Sequence, residues 1–123
     1  IALWHHPRFS SGYHGNSGSV GAFWEALHDA GAELVLNGHE HDYERFEPQD
    51  PGGAVDPAGG ITEIVAGTGG GDLKPFERIA PSSLVRIADA YGVLELTLRT
   101  GGWSHRFLAT DGSVLDQGDG TCR

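Results

Sequence analysis

With 123 residues, 38% of them hydrophobic and 20% charged, the chain has the size of one domain or part of one. That is enough apolar content to bury a core, which excludes disorder along the whole length. A net charge of −9 and a single lysine, Lys74, argue against nucleic acid as a partner, and no apolar run approaches the roughly 20 residues of a membrane span. The chain has no methionine and opens directly on the apolar run Ile1-Ala2-Leu3-Trp4, so it is expected to be a piece of a longer protein. Its one cysteine, Cys122, cannot form an internal disulfide.

In chain order, residues 1–4 read as a short buried strand, followed by a loop rich in Ser, Gly and His over residues 5–18. Val20, Phe23, Trp24, Leu27 and Ala30 then recur on one face of a 3.6-residue period, which predicts a helix. Ser17 or Ser19 would cap its start, and Gly31 suits its end. Residues 33–36 give a second apolar run, bounded by Asn37-Gly38. Strand, helix and strand at this spacing form a βαβ unit with parallel strands and a right-handed crossover. Residues 47–60 read as a loop, 61–66 as a strand leading into the glycine run 67–71, and 72–90 as loop and short turns. Residues 93–99 alternate between Val, Glu, Thr, Arg and three leucines, a half-buried strand of period 2. Turns at Thr100-Gly101-Gly102 and Asp111-Gly112 complete an antiparallel meander. The fold class is therefore α/β: a βαβ unit followed by a meander.

The chemistry lies in the seven histidines. His5 and His6 follow the first strand, and His39 and His41 follow the second in Gly38-His39-Glu40-His41-Asp42. Parallel strands put their carboxyl ends on one sheet edge, where ligands of open α/β sheets bind. The topology thus brings His5, His39 and His41 toward one place, and imidazole is a common ligand for zinc and related metals. Read from the residues alone, the same histidines are either such ligands or a surface coincidence.

Gly38-His39-Glu40-His41-Asp42-Tyr43-Glu44-Arg45 resembles the G-H-x-H-x-Y-E-R motif of purple acid phosphatases and related calcineurin-like metallophosphoesterases. His5-His6-Pro7 is similar to the H-x-P motif that precedes it in that family, and residues 92–98 resemble the C-terminal strand of bacterial members often labelled alkaline phosphatases. The resemblance implies the C-terminal half of a β-sandwich flanked by helices, holding two metal ions (iron, zinc or manganese). It implies hydrolysis of phosphate esters, phosphomonoesters foremost, by a metal-bound hydroxide. By position, His5 and His39 would hold one metal and His41 the other. His14, nine residues after His5, would contact the substrate phosphate or the leaving group. His6, at the variable position of H-x-P, is expected to pack or meet solvent. His28 is expected to be solvated, and His105 to lie outside the site. Tyr43, Glu44 and Arg45 are expected to be structural, with a Glu44–Arg45 pair bracing the loop. The glycine run is expected to pack closely at the rim of the site, and the three tryptophans to serve packing.

The family's D-x-H, G-D-x-x-[DY] and G-N-H-[DE] motifs, which carry its bridging aspartate, are absent. Residues 1–123 are thus expected to be the C-terminal portion of a phosphoesterase domain, inactive by themselves and completed by an N-terminal half. By family resemblance the whole protein would be extracellular or periplasmic, with a small phosphate ester as substrate. The alternatives are a non-catalytic metal-binding or interaction module that retains only these histidines, and a structural zinc site.

Overall fold

The computed structural model describes residues 1–122 and contains two β-sheets and one α-helix among them. The first sheet has five strands: β1 (Ala2–Leu3), β2 (Leu34–Asn37), β3 (Tyr43–Phe46), β4 (Thr62–Ala66) and β5 (Ser83–Ile87), in the order β1-β2-β4-β3-β5. β1 runs parallel to β2 with Ala2 opposite Val35, and β2 parallel to β4 with Leu36 opposite Ile64. β3 is antiparallel to both β4 and β5. The second sheet is the expected meander, β6 (Gly92–Arg99), β7 (Gly102–Ala109) and β8 (Val114–Thr121). The α/β class, the βαβ unit and the meander are all present.

The helix, α1 (Gly21–Asp29), follows a short 3-10 turn over Gly18–Val20. It ends in a Schellman motif: Gly31 adopts φ +70°, its N–H donates to the His28 carbonyl, and the Ala32 N–H donates to that of Leu27. Its start differs from expectation, because neither Ser17 nor Ser19 caps it; their hydroxyls bond each other at 2.8 Å. Trp24 is fully buried, while Phe23 points outward despite lying on the apolar stripe.

Alternation along the strands divides the core in two. Val35, Phe46, Ile61 and Val65 face α1 and pack with Trp24 and Phe9. Leu34, Tyr43 and Ile64 face the other way and pack against Trp103 and Phe107 of the meander. Three expectations need correction. β1 is not a buried strand: Ala2 and Trp4 turn toward the helix side, but Leu3 is 77% exposed, because β1 is an edge strand. Residues 43–46, where no strand was expected, and 83–87, read as loop and short turns, are strands. Glu44 and Arg45 do not pair, because neighbours on a strand point to opposite faces.

Each instead finds a partner on its own face. Glu44 accepts from the Ser11 N–H at 2.8 Å and from the Ser83 hydroxyl. Arg45 reaches the meander and binds Asp116 with both ends of its guanidinium, at 2.7 and 3.0 Å. The Tyr43 hydroxyl donates to the same carboxylate at 2.7 Å, and His105 Nε2 lies 3.3 Å from it. The Tyr43 ring stacks on Phe107 at 4.1 Å. His105 thus belongs to the clamp between the sheets.

Burial alone would raise the Asp116 carboxyl, but the hydrogen bonds from Arg45 and Tyr43 and the Arg45 charge outweigh it and hold it at about 2. A carboxyl depressed on folding stabilises the fold above its ordinary pKa, and that stability is lost as pH falls through the folded value. Asp116→Asn is therefore expected to cost about 3 kcal/mol at neutral pH, the scale for breaking a buried pair. It should also flatten the loss of stability between about pH 4 and pH 2. Denaturant unfolding of both proteins across that range measures this; parallel pH profiles would contradict it.

Candidate metal centre

The carboxyl ends of β1, β2 and β4 share one edge of the first sheet, and β3 begins there. His5 leaves β1, the segment 38–42 joins β2 to β3, and the glycine run leaves β4. Local bonds fix the first turn. The Gly38 N–H donates to the His5 carbonyl at 3.1 Å, the Asn37 side-chain amide to the Trp4 carbonyl at 2.9 Å, and the Trp4 indole to the His6 carbonyl at 2.6 Å.

His39 sits at the centre. Its Nδ1 lies 3.1 Å from His5 Nε2, and its ring centroid is 4.2 Å from that of His6 and 4.4 Å from that of His14. Among the described residues, His39 is the one non-glycine residue with positive φ, +69°. The strained backbone turns its ring toward the others. Burial and the neighbouring His14 and His6 push the His39 imidazole down, with Glu40 opposing, so the neutral ligand form is favoured.

His5, His39, His14 and His41 line one cleft of about 730 Å³ together with Gly38, Ala66 and Gly67. His41 does not join the imidazole cluster directly. Its Nδ1 lies 2.9 Å from the Asp72 carbonyl, an arrangement that orients a ring and leaves Nε2 for a ligand. The glycine run is closely packed only at its ends: a Cβ at Gly67 would collide with the Glu40 carbonyl and one at Gly71 would meet the His41 ring, whereas Gly69 and Gly70 are exposed with open space around them.

Beneath the histidines lies a layer of buried acids. Glu40, Asp42 and Glu44 alternate with His39, His41 and Tyr43, and all three are fully buried, as is Glu63 of β4. Glu63 accepts the N–H groups of Arg8 at 2.8 Å and Phe9 at 3.1 Å, Glu44 that of Ser11, and Glu40 that of His14 at 3.0 Å. The loop over residues 8–14, and with it His14, is tied down by these carboxylates. Burial pushes the Glu63 carboxyl up to about 8 against its two N–H donors. Burial, with Glu44 and Glu40 adding repulsion, does the same to Asp42, whose oxygens have no hydrogen-bond partner among the described residues.

The donor set fits a divalent metal. Two ligands on a tetrahedral zinc with bonds of roughly 2.0–2.1 Å stand about 3.3 Å apart; His5 Nε2 and His39 Nδ1 are separated by 3.1 Å. One nitrogen from each of His5, His6 and His39 falls within 4.8 Å of the others, and so do donor atoms of His14, His39 and Glu40. His6 and Glu40 are the cluster members that sequence reasoning gave no part. The signal for Glu40 was an acid set between two histidines, in step with the acids at 42 and 44. His28 is half-buried rather than solvated, and its Nε2 is shielded with no hydrogen-bond partner among the described residues.

No protein-family model and no curated protein sequence matches the chain. Solved structures do. One, described as GAP50, the anchor in the inner membrane complex of Plasmodium, matches over 97% of this chain and 35% of its own, with 23% identity and a TM-score of 0.76. Another, the purple acid phosphatase PPD1 from yellow lupin seeds, matches over 97% of this chain and 24% of its own, with 21% identity and a TM-score of 0.79. The likeness is one of fold: the chain has the architecture of the C-terminal part of a purple acid phosphatase-like fold and spans about a third or less of these structures. No helix among the described residues is long and apolar enough to cross a membrane.

The His39 backbone makes a simple stability test. A left-handed residue other than glycine costs roughly 1–2 kcal/mol. In metal-free protein, His39→Gly should be more stable than His39→Ala by about 1 kcal/mol, although glycine normally loses to alanine. Urea denaturation of the two variants measures this, and a more stable alanine variant would contradict it.

Proposed function

We propose that the chain is the C-terminal portion of a dinuclear metallophosphoesterase domain that hydrolyses phosphate esters, with phosphomonoesters the favoured class. The observation that carries this reading is the approach of His5 and His39 to within 3.1 Å, with the His14 ring 4.4 Å from that of His39 and His41 in the same cleft. In this reading His5 and His39 hold one metal and His41 the other; iron and zinc suit imidazole donors, and manganese would draw more on oxygen ligands. When bound, the metals act as Lewis acids that activate water and polarise the phosphoryl oxygens. The chain's own contribution is geometric. Asn37 and the Trp4 indole hold the His5 turn, the Asp72 carbonyl orients His41, and Glu40 holds His14 where it can meet a phosphate or leaving oxygen.

Neutral imidazoles alone do not hold two cations roughly 3.5–4 Å apart; a bridging carboxylate is needed to offset their repulsion. The two neighbouring structures extend well beyond the matched part. Both points support a site completed by an N-terminal half, with residues 1–123 inactive by themselves. An extracellular or periplasmic location accords with this reading. A second reading, a non-catalytic binding module, is favoured by the neighbour described as an anchor.

Variants of the intact protein separate the two. With zinc or manganese and p-nitrophenyl phosphate, His39→Ala and His41→Ala should each lose about one metal equivalent and almost all turnover. His14→Ala should keep its metal and lose about 10²-fold in efficiency. Metal uptake without turnover in the unaltered protein would favour the binding module, and full metal content in the His39 and His41 variants would overturn both readings.

A further inference from the structure

We propose that Glu40, the residue between His39 and His41, is a positioning residue for His14: its carboxylate fixes where the His14 backbone sits and which ring nitrogen faces the cleft. This rests on the reading of His14 as the group that meets the substrate.

The geometry is specific. Glu40 is fully buried, whereas the His14 side chain is 48% exposed. Both Glu40 oxygens accept the His14 backbone N–H, at 3.0 and 3.2 Å, and Oε2 also lies 3.2 Å from His14 Nδ1. A carboxylate only accepts, so the hydrogen of the neutral ring sits on Nδ1 and Nε2 is left to the cleft. One side chain thereby holds both the main chain and the ring of His14. The loop closes tightly over it: a Cβ at Gly12 would stand 2.7 Å from Glu40 Oε2. From below, the absence of a Cβ at Gly67 makes room for the Glu40 carbonyl.

Glu40 also lies close enough to His14 and His39 to share a metal with them. Both its oxygens are already engaged by His14, however, and the carboxylate is buried under the loop. A carboxylate keeps lone pairs beyond these bonds, so the zinc content of a Glu40 variant decides between the two roles. The positioning role needs no rearrangement.

The test is Glu40→Gln in the intact protein, labelled with ¹⁵N-histidine and studied metal-free and zinc-loaded. The amide oxygen still accepts the His14 N–H, but the amide nitrogen turns a donor toward Nδ1 and drives the ring hydrogen to Nε2. Long-range ¹H–¹⁵N correlation spectra should show His14 protonated at Nδ1 in the unaltered protein and at Nε2 in the variant. Zinc content should be unchanged, and kcat for p-nitrophenyl phosphate should fall about 10–100-fold with KM little altered. Glu40→Asp, which keeps an acceptor, should retain the original tautomer. Three results would overturn the proposal: His14 already protonated at Nε2 in the unaltered protein, an unchanged tautomer in Glu40→Gln, or loss of zinc in that variant, which would make Glu40 a ligand. If Glu40→Gln does not fold, the tautomer of the unaltered protein still decides. A tautomer shift in a protein that hydrolyses no phosphate ester would leave the positioning role standing and remove only the phosphoesterase reading.

Discussion

The site depends on buried carboxylates accepting main-chain N–H groups. The loop from Arg8 to His14 crosses the sheet edge without regular structure, so its amides cannot bond a neighbouring strand. Buried amides left without acceptors are costly. Glu63, Glu44 and Glu40, from β4, β3 and the turn before β3, supply the acceptors. Each carboxyl group is desolvated, at a cost visible in the raised Glu63 carboxyl, and each offsets part of that cost with the main-chain N–H groups it accepts. The outcome is a loop with a defined height above the histidines. Ser11 extends the network, since its carbonyl and hydroxyl accept the N–H groups of Glu77 and Ala80 and so tie the distant 77–80 segment to the same loop.

Strand alternation then separates the roles. On one face of β3 and the turn before it, Glu40, Asp42 and Glu44 point inward to the loop. On the other, Tyr43 and Arg45 meet Asp116 and Phe107 and join the first sheet to the meander. Within a stretch of seven residues the same backbone thus holds two cleft-lining histidines, the acids that anchor the loop and the clamp between sheets. His39, with its positive φ, is where the chain leaves β2 to begin that alternation.

Much of the architecture is legible in the sequence because it rests on local signals. The helix period and Gly31 specify α1 and its end, the apolar run specifies β2, and glycine turns mark the meander. The parallel-strand rule was enough to bring His5 and His39 together. β3 was not legible, because Tyr-Glu-Arg-Phe carries charges whose partners lie far along the chain: Ser11 and Ser83 for Glu44, Asp116 for Arg45. An expected Glu44–Arg45 pair gave way to two separate partners for the same reason. β5 was not legible either: it is a five-residue strand at the edge of the sheet opposite β1, and its register with β3 is irregular. β1 misled in the opposite direction, since an apolar run does not reveal that its strand lies at an edge. His6 was expected only to pack or meet solvent and Glu40 was given no part, both being variable positions of their motifs; only the packing around His39 and the loop shows their surroundings.

The claim that this sheet edge is a metal centre is tested most directly by anomalous diffraction from crystals of the intact protein soaked in zinc or manganese. The account predicts a peak within bonding distance of both His5 and His39, and a second, roughly 3.5–4 Å away, bonded to His41. Saturating metal that leaves no peak in this cleft, or that binds only elsewhere on the surface, would contradict it.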